Sequence, residues 1–326
     1  MSSRHIQLEA RLPMEAAGRR LDQVLAETLA GHSRTRIKGW IEAGQVTVDG
    51  RSPRPRDLVL GGELVRVDAV LADEVEVRPQ PIALELVHED AGLIVVNKPP
   101  GLVVHPGAGN PDRTLQNALL AHDPALSLLP RAGLVHRLDK DTSGLLVVAR
   151  TLEAHTALVR ALEAREIHRE YQAVCIGVMT GGGTVDAPIA RHEVDRLRMS
   201  VRSDGRESVT HYRVIERFRA HTHVRVILET GRTHQIRVHL AHVGYPIVGD
   251  AIYGRRLAIP RGASARLEAV LRGFRRQALH AARLELEHPL TGRPLAFEAP
   301  LPADFVELLA ALAEDAAAAR RAQARG

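Results

Sequence analysis

Apolar positions follow two different rhythms along this chain, and the change between them divides it. Within Arg19 to Ala30, Leu21, Val24, Leu25 and Leu29 recur at helical spacing. A second helix is expected after Ser33, an N-cap residue, with Ile37, Trp40 and Ile41 inward and Arg34, Arg36 and Lys38 outward. Gly44 ends that helix. A short strand through Val46 and Val48, the turn pair Asp49-Gly50, a loop with Pro53 and Pro55 and a strand over 64–67 complete a small unit from Gly18 to Val67. Residues 69–81 turn acidic and proline-bounded (DEVEVRPQP), which reads as a linker and places the boundary at residue 80, giving domains 1–80 and 81–326.

Beyond the linker, short continuous apolar runs replace the helical stripe. Strands are expected at 84–87 and 93–96, either side of the turn Glu89 to Gly92. Another pair, Ala132 to Val135 and Leu145 to Ala149, brackets the polar stretch His136, Arg137, Asp139, Lys140, Asp141, Thr142, Ser143. A helix follows over 151–164 with Leu152, Ala157, Leu158 and Leu162 as its apolar face, then a long strand through EIHREYQAVCIGVM. Further strands and hairpins are expected over 184–212. A strand ends at Glu229, before a turn and a short helix holding Val238 and Leu240; the chain closes on an Ala- and Leu-rich helix from Ala303.

Composition narrows the classes. No apolar run has membrane-spanning length, and the first residues lack the apolar centre of a signal peptide, so a cytoplasmic protein without a membrane partner is expected. The single Cys175, within AVCIGVM, allows neither a disulfide framework nor a cysteine metal cluster. Lys and Arg total 44 against 39 Asp and Glu, a net +5 that suits a nucleic-acid binder and many other soluble enzymes alike. Lysine occurs only at Lys38, Lys98 and Lys140, so arginine supplies nearly all the positive charge.

Several motifs then compete. HPGAGNPD lacks the third glycine of a dinucleotide fingerprint, and Gly181 to Gly183 lack the Lys and Ser/Thr of a phosphate-binding loop, so both read as turns and no nucleotide cofactor is expected. His234, His239 and His242 lie near helical spacing but belong to no metalloprotease motif, and no metal is expected. The bend Pro99-Pro100-Gly101 is rigid enough to carry Lys98 and His105 at a groove edge. The polar loop at 136–143 reads from composition alone as a charged surface turn; as a site, it offers carboxylates and cations on a stiff support.

A resemblance reverses that weighting. HRLDKDTSG, VNKPPGLVVHPG, REY and TGRTHQIRVH are similar to the motifs of the RNA pseudouridine synthases, in the subgroup that modifies large-subunit ribosomal RNA. RLDQVLA, SRTRIKGWIEAGQVTVDG and LVRV resemble the small RNA-binding domain first known from small-subunit ribosomal protein four. The resemblance implies an α+β protein: a small RNA-binding domain of two helices and a small sheet, and a catalytic domain with a mixed, mainly antiparallel sheet. It makes Asp139 the catalytic carboxylate and Tyr171 the aromatic that stacks on a flipped base and acts in proton transfer. Arg237, ahead of Arg232, becomes the cation paired with Asp139, with Ile236 and Val238 as apolar floor. Arg137, Lys140, Lys98, His105, Arg232, His234 and Gln235, with Arg34, Arg36 and Lys38 in the first domain, become RNA contacts. The implied partner is 23S ribosomal RNA or a large-subunit particle, met by a monomer that needs no cofactor. Two rivals stand beside this reading. A glycoside hydrolase would pair Asp139 with Asp141, but two residues on one loop do not easily flank a bond at the required separation. A noncatalytic RNA-binding or large-subunit assembly factor would use the same arginines without chemistry.

Overall fold

The computed structural model describes residues 4–29, 32, 34–71, 77–107, 109–195, 198–254 and 257–324. Ser33 and the acidic centre of the linker, 72–76, lie outside them. Contacts divide the chain into Met1–Glu76 and Val77–Gly326.

In the first unit, helices α1 (Leu21–Thr28) and α2 (Arg34–Glu42) pack on strands β1 (Arg4–Arg11), β2 (Val46–Val48) and β3 (Leu64–Leu71). Leu21, Val24, Leu25, Leu29, Ile37, Trp40 and Ile41 are buried together with Val46, Val65 and Val67, as the helical spacing predicts. The sheet order β1-β3-β2 contains a strand that the sequence analysis did not place. Strand β1 pairs antiparallel with β3, Leu8 opposite Val67. Its apolar positions Ile6, Leu8 and Ala10 alternate, but it lies ahead of the first helix and pairs with the far end of the unit, which no local pattern reveals.

The second unit is built on a nine-stranded sheet. Its strands are β4 (Leu86–Glu89), β5 (Leu93–Lys98), β6 (Ser143–Ala149), β7 (His168–Ile176), β8 (Gly183–Asp186), β11 (Val209–Arg217), β12 (His221–Leu228), β13 (Leu279–Glu287) and β14 (Pro294–Glu298), with β9 (Ile189–Arg191) and β10 (Met199–Val201) as a separate ribbon. The order is β4-β5-β6-β13-β7-β12-β11-β8, with β14 beside β13. Only the β6–β13 pairing in it is parallel, so the sheet is mixed and mainly antiparallel among the described residues. Helices α3 (Leu115–His122), α4 (Leu152–Glu163), α5 (Gln235–His242), α6 (Ala265–Gly273) and α7 (Ala303–Gln323) complete it. No helix among the described residues is long and apolar enough to cross a membrane.

Strands β5 and β6 are continuously apolar over 93–96 and 145–149 because both of their faces are covered there. Ile94, Val96, Leu146 and Val148 join a core with Leu115 of α3, Leu267 of α6 and Phe305 and Leu308 of α7. Their neighbours Leu93, Val95, Leu145 and Val147 face the opposite way, onto Ala154 and Leu158 of α4. The buried face of α4 is rotated from the expected one: Leu152 is 62% exposed. Thr151, whose hydroxyl accepts from the Ala154 amide, fixes the start of the helix and with it the stripe that turns inward.

On β12, His221 and His223 are buried. The His223 Nε2 lies 2.8 Å from Gln172 Oε1, whereas both His221 ring nitrogens lack a partner among the described residues. Burial pushes both imidazoles down to about 4, with Asp315 opposing part of the shift at His221. Asp315 is itself bonded to Arg219 and to the Ser264 amide. An unfolded chain takes up these protons near the ordinary histidine range while the folded one refuses them until about 4. Stability is therefore full above pH ~6.5 and lost as pH falls toward 4. Chemical denaturation at pH 7 and pH 5 should show a loss of about 2–4 kcal/mol from the pair; equal midpoints would contradict it.

Candidate active site

The polar loop leads into β6, but its near side is not the strand expected there. Arg131 and Ala132 have φ of 51° and 52°, followed by Gly133 at 79°, and Leu134 makes an isolated bridge to Val148. The far side is anchored on β13. Thr142 accepts from the Gln277 amide at 3.0 Å, and Ser143 Oγ lies 2.9 Å from His280 Nδ1. Gly144 explains the glycine of the motif: its φ is +112°, and a Cβ there would fall 2.2 Å from the Ala281 carbonyl oxygen of the adjoining strand.

Asp139 sits between two cavities, of about 500 and 420 Å³, and lines both. Its Oδ2 accepts from Arg237 Nη1 at 2.9 Å. Arg237, 5% exposed, donates through Nε and Nη2 to both oxygens of Asp250, at 2.7 and 2.9 Å. Burial works against the Asp250 charge, but the Arg237 pair and the amides of Tyr253 and Ile252 outweigh it and hold that carboxyl below its usual range. Burial likewise opposes the Arg237 cation, and Asp250 and Asp139 together raise its pKa well above the ordinary arginine value. Arg237 is thus a bridge whose orientation is set by Asp250 and whose remaining arm meets Asp139. The ring of Tyr253 lies under it at 5.1 Å.

Tyr171, on β7, is 5% exposed and lines the larger cavity, with Ile236 and Leu279 contributing apolar wall. Burial, and to a lesser extent Asp139, raises its phenol pKa against the opposing pull of Arg169, so the hydroxyl keeps its proton. His234 approaches Asp139 from the left-handed N-cap of α5, at φ 56°. Its Nδ1 faces the Tyr253 hydroxyl at 2.8 Å, and that hydroxyl accepts the Met199 amide. The Tyr253 proton is then available to Nδ1, which puts the His234 proton on Nε2, 3.8 Å from Asp139 Oδ1. Burial lowers the His234 pKa, with Asp139 opposing, and this favours the neutral ring.

The remaining residues named from sequence divide into three groups. Arg137 and His105 face each other at 3.5 Å and line both cavities, Lys140 lines the smaller, and Arg232 the larger. Arg232 donates to the Glu207 carbonyl; the guanidinium that reaches Asp139 is that of Arg237. In the first unit, Arg34 is bonded at 2.7 Å to the buried Asp22, which also holds Arg20, and Lys38 lies 3.4 Å from Glu42. Arg36 is half-buried. Val238 packs with Ile189 and Tyr253 in a separate cluster rather than flooring the cavity. The histidine trio does not converge: His239 spends its ring nitrogens on Thr210 and the Ala187 carbonyl.

Two residues expected to contact RNA, Gln235 of the larger cavity wall and Lys98, have their polar groups engaged within the protein. Gln235 is buried, its amide bonded to Thr230, Val209, Thr210 and the Arg232 backbone, so it braces the turn before α5. Lys98 is fully buried, not at a groove edge. Its Nζ donates to the carbonyls of Pro99, Leu102 and Lys140 at 2.8, 3.0 and 3.0 Å. Burial pushes this amine down to about 7, against the pull of Asp141 and Asp139. Three carbonyl acceptors nevertheless require three N–H donors, which only the ammonium form has. Lys98→Met strands those three carbonyls, one of them adjacent to Asp139, and should lower stability by about 3 kcal/mol in denaturant titration. An unchanged midpoint would show that the three bonds contribute nothing.

Asp250 and Tyr253 carry no expected role in the sequence, where both lie in the run VGDAIYG downstream of TGRTHQIRVH. Their link to Arg237 and His234 is made by the turn after α5, and no residue spacing signals it.

Fold and site together form a candidate enzyme centre: a sheet-based domain in which the Asp139 carboxylate, held by a buried arginine, lines a cavity of about 500 Å³ beside an aromatic. Comparison with known proteins gives the family. Residues 92–242 match the family described as RNA pseudouridylate synthase, and residues 19–65 match the S4 domain. The chain is 58% identical over 95% of its length to the ribosomal large subunit pseudouridine synthase D of Xanthomonas campestris, covering 94% of that protein. It is 52% identical over 96% of its length to the protein of that name from Escherichia coli K12, covering 96% of it. Among solved structures, human RNA pseudouridylate synthase domain containing 4 is 30% identical, with a TM-score of 0.54, over 70% of this chain and 93% of that one. This chain belongs to the RNA pseudouridine synthase family, with an S4 RNA-binding domain ahead of its catalytic domain.

Proposed function

We propose that this protein converts uridines of 23S ribosomal RNA to pseudouridine, with residues 81–326 as the catalytic domain and 1–80 as an RNA-holding domain. The observation that carries the reading is the Asp139 carboxylate, bonded by the Asp250-oriented Arg237 in a cavity that Tyr171 also lines. The names of the similar proteins, which act on the ribosomal large subunit, support the substrate.

The reaction breaks the bond from uracil N1 to ribose C1′ and joins C1′ to C5. The hydrogen on C5 leaves to solvent and N1 gains a proton, so atoms balance without a co-reactant. The target nucleotide is turned out of its stack, at a cost of a few kcal/mol when paired. Tyr171 offsets part of that by packing on the base, and Ile236 closes the apolar side. Asp139 acts as the anion on sugar or base, and Arg237 holds it in place through the bond from Nη1 to Oδ2. Arg137, His105, Lys140, Arg232 and His234 hold the surrounding RNA, and Arg34, Arg36 and Lys38 add salt-sensitive phosphate contacts. The protein works as a monomer in the cytoplasm, without a nucleotide cofactor.

Incubation with 23S RNA tritiated at uridine C5 tests this, because the product has the same mass as the substrate and differs in having lost that hydrogen. Release of tritium is expected. Tight binding with no release, from either naked RNA or large-subunit particles, would instead mark an RNA-binding assembly factor.

A further inference from the structure

Arg169 stands on β7 two residues before Tyr171, and the alternating burial of the strand there puts both side chains on the same face. It is 8% exposed and lines the larger cavity. Its Nε has no partner, and no carboxylate pairs with its guanidinium among the described residues. The groups packed around it are neutral. His136 is pushed down to about 3 by burial and then by Arg169 itself, and the Tyr171 phenol keeps its proton. Of the acids besides Asp139 that line the cavity, Glu229 is bonded to Arg165 and His211, while Glu163 is exposed at the end of α4 and makes no ion pair with Arg169.

The guanidinium lies close against the TGR turn, where a Cβ on Gly231 would come 2.7 Å from Arg169 Nη1. Arg131 lines the same cavity from a loop in which it and Ala132 both hold positive φ, at 51° and 52°. Strain of that kind costs about 1–3 kcal/mol per residue and clusters at ligand sites. A desolvated cation without a counter-charge is costlier still. A ligand that brings the negative charge accounts for both.

We infer that Arg169, with Arg131 and Arg232 lining the same cavity, forms an anion subsite that takes a backbone phosphate of the RNA next to the flipped nucleotide. The inference rests on the uridine-isomerising reading of the cavity. A guanidinium fork matches two phosphate oxygens, whereas a uracil carbonyl is neutral and leaves the charge uncompensated. Two residues of β7 separate Arg169 from Tyr171 by about 6.8 Å, so a base on one and a phosphate on the other occupy different places.

Binding to a 23S RNA transcript, compared for wild type, Arg169→Lys and Arg169→Met over a range of salt concentrations, tests the subsite. Arg169→Met should weaken binding about tenfold or more and make the salt slope shallower by about 1, with Arg169→Lys between the two. In parallel, a transcript randomly ethylated at its phosphates should show, for wild type, strong interference at a phosphate flanking the modified uridine. That position should lose its effect with Arg169→Met. No sensitive phosphate beside the uridine in wild type would overturn the inference, even if Arg169→Met fails to fold. So would an identical interference pattern in wild type and variant, or a loss of affinity with no change in salt slope, which would indicate a neutral base contact. Tritium release by wild type on the same transcript reads the parent assignment separately, since the interference map depends on binding alone.

Discussion

Asp139→Asn should abolish tritium release, by at least about 10⁴-fold in kcat, while RNA affinity stays within about threefold of wild type. The amide has the same shape, and its oxygen can still accept from Arg237 Nη1, as Asp139 Oδ2 does at 2.9 Å. Arg237 also keeps both bonds to Asp250, so the substitution leaves no buried cation without a partner. Only the negative charge at the reacting position is lost. Melting temperature should therefore hardly move, which separates lost chemistry from lost structure. Release above about one hundredth of the wild-type rate would show that Asp139 is not the essential carboxylate.

Asp250→Asn should damage the enzyme by a different route. Asp250 touches neither cavity, yet it grips Arg237 through two bonds, and both groups are almost wholly buried. Breaking such a pair costs about 3–5 kcal/mol, because the remaining charge stays desolvated. For a unit of this size that lowers the melting temperature by about 10 °C. The freed guanidinium can also swing from Asp139, and a misplacement of about 1 Å costs on the order of 100-fold in rate. The loss should fall on kcat, with KM nearly unchanged, since Asp250 acts as a positioning residue through Arg237. A rise in KM at constant kcat would place Asp250 in RNA binding instead.

Much of this was legible in sequence, for identifiable reasons. The helices α1 and α2 follow from the 3.6-residue repeat that fixes which side chains share a face, and the strands β5 and β6 from short continuous apolar runs that need cover on both faces. The motif residues Asp139, Tyr171 and Arg237 could be named through family resemblance alone; composition by itself favoured a surface turn. What periodicity could not supply was long-range pairing. Strand β1 belongs to the first sheet only because β3 returns to it, and the start of α4, not its apolar count, decides that Leu152 faces water. The same holds within the site. Lysine in VNKPPG reads as a surface cation until the chain folds three carbonyls around its amine, one of them 42 residues distant. Asp250 becomes the partner of Arg237, and Arg169 a cation without one, only when separate strands and turns meet around a common cavity. Sequence determined which residues carry charge and which faces are apolar. Tertiary structure decided which of those charges are neutralised by the protein and which are left for a ligand, because desolvation and pairing depend on distances that chain order does not contain.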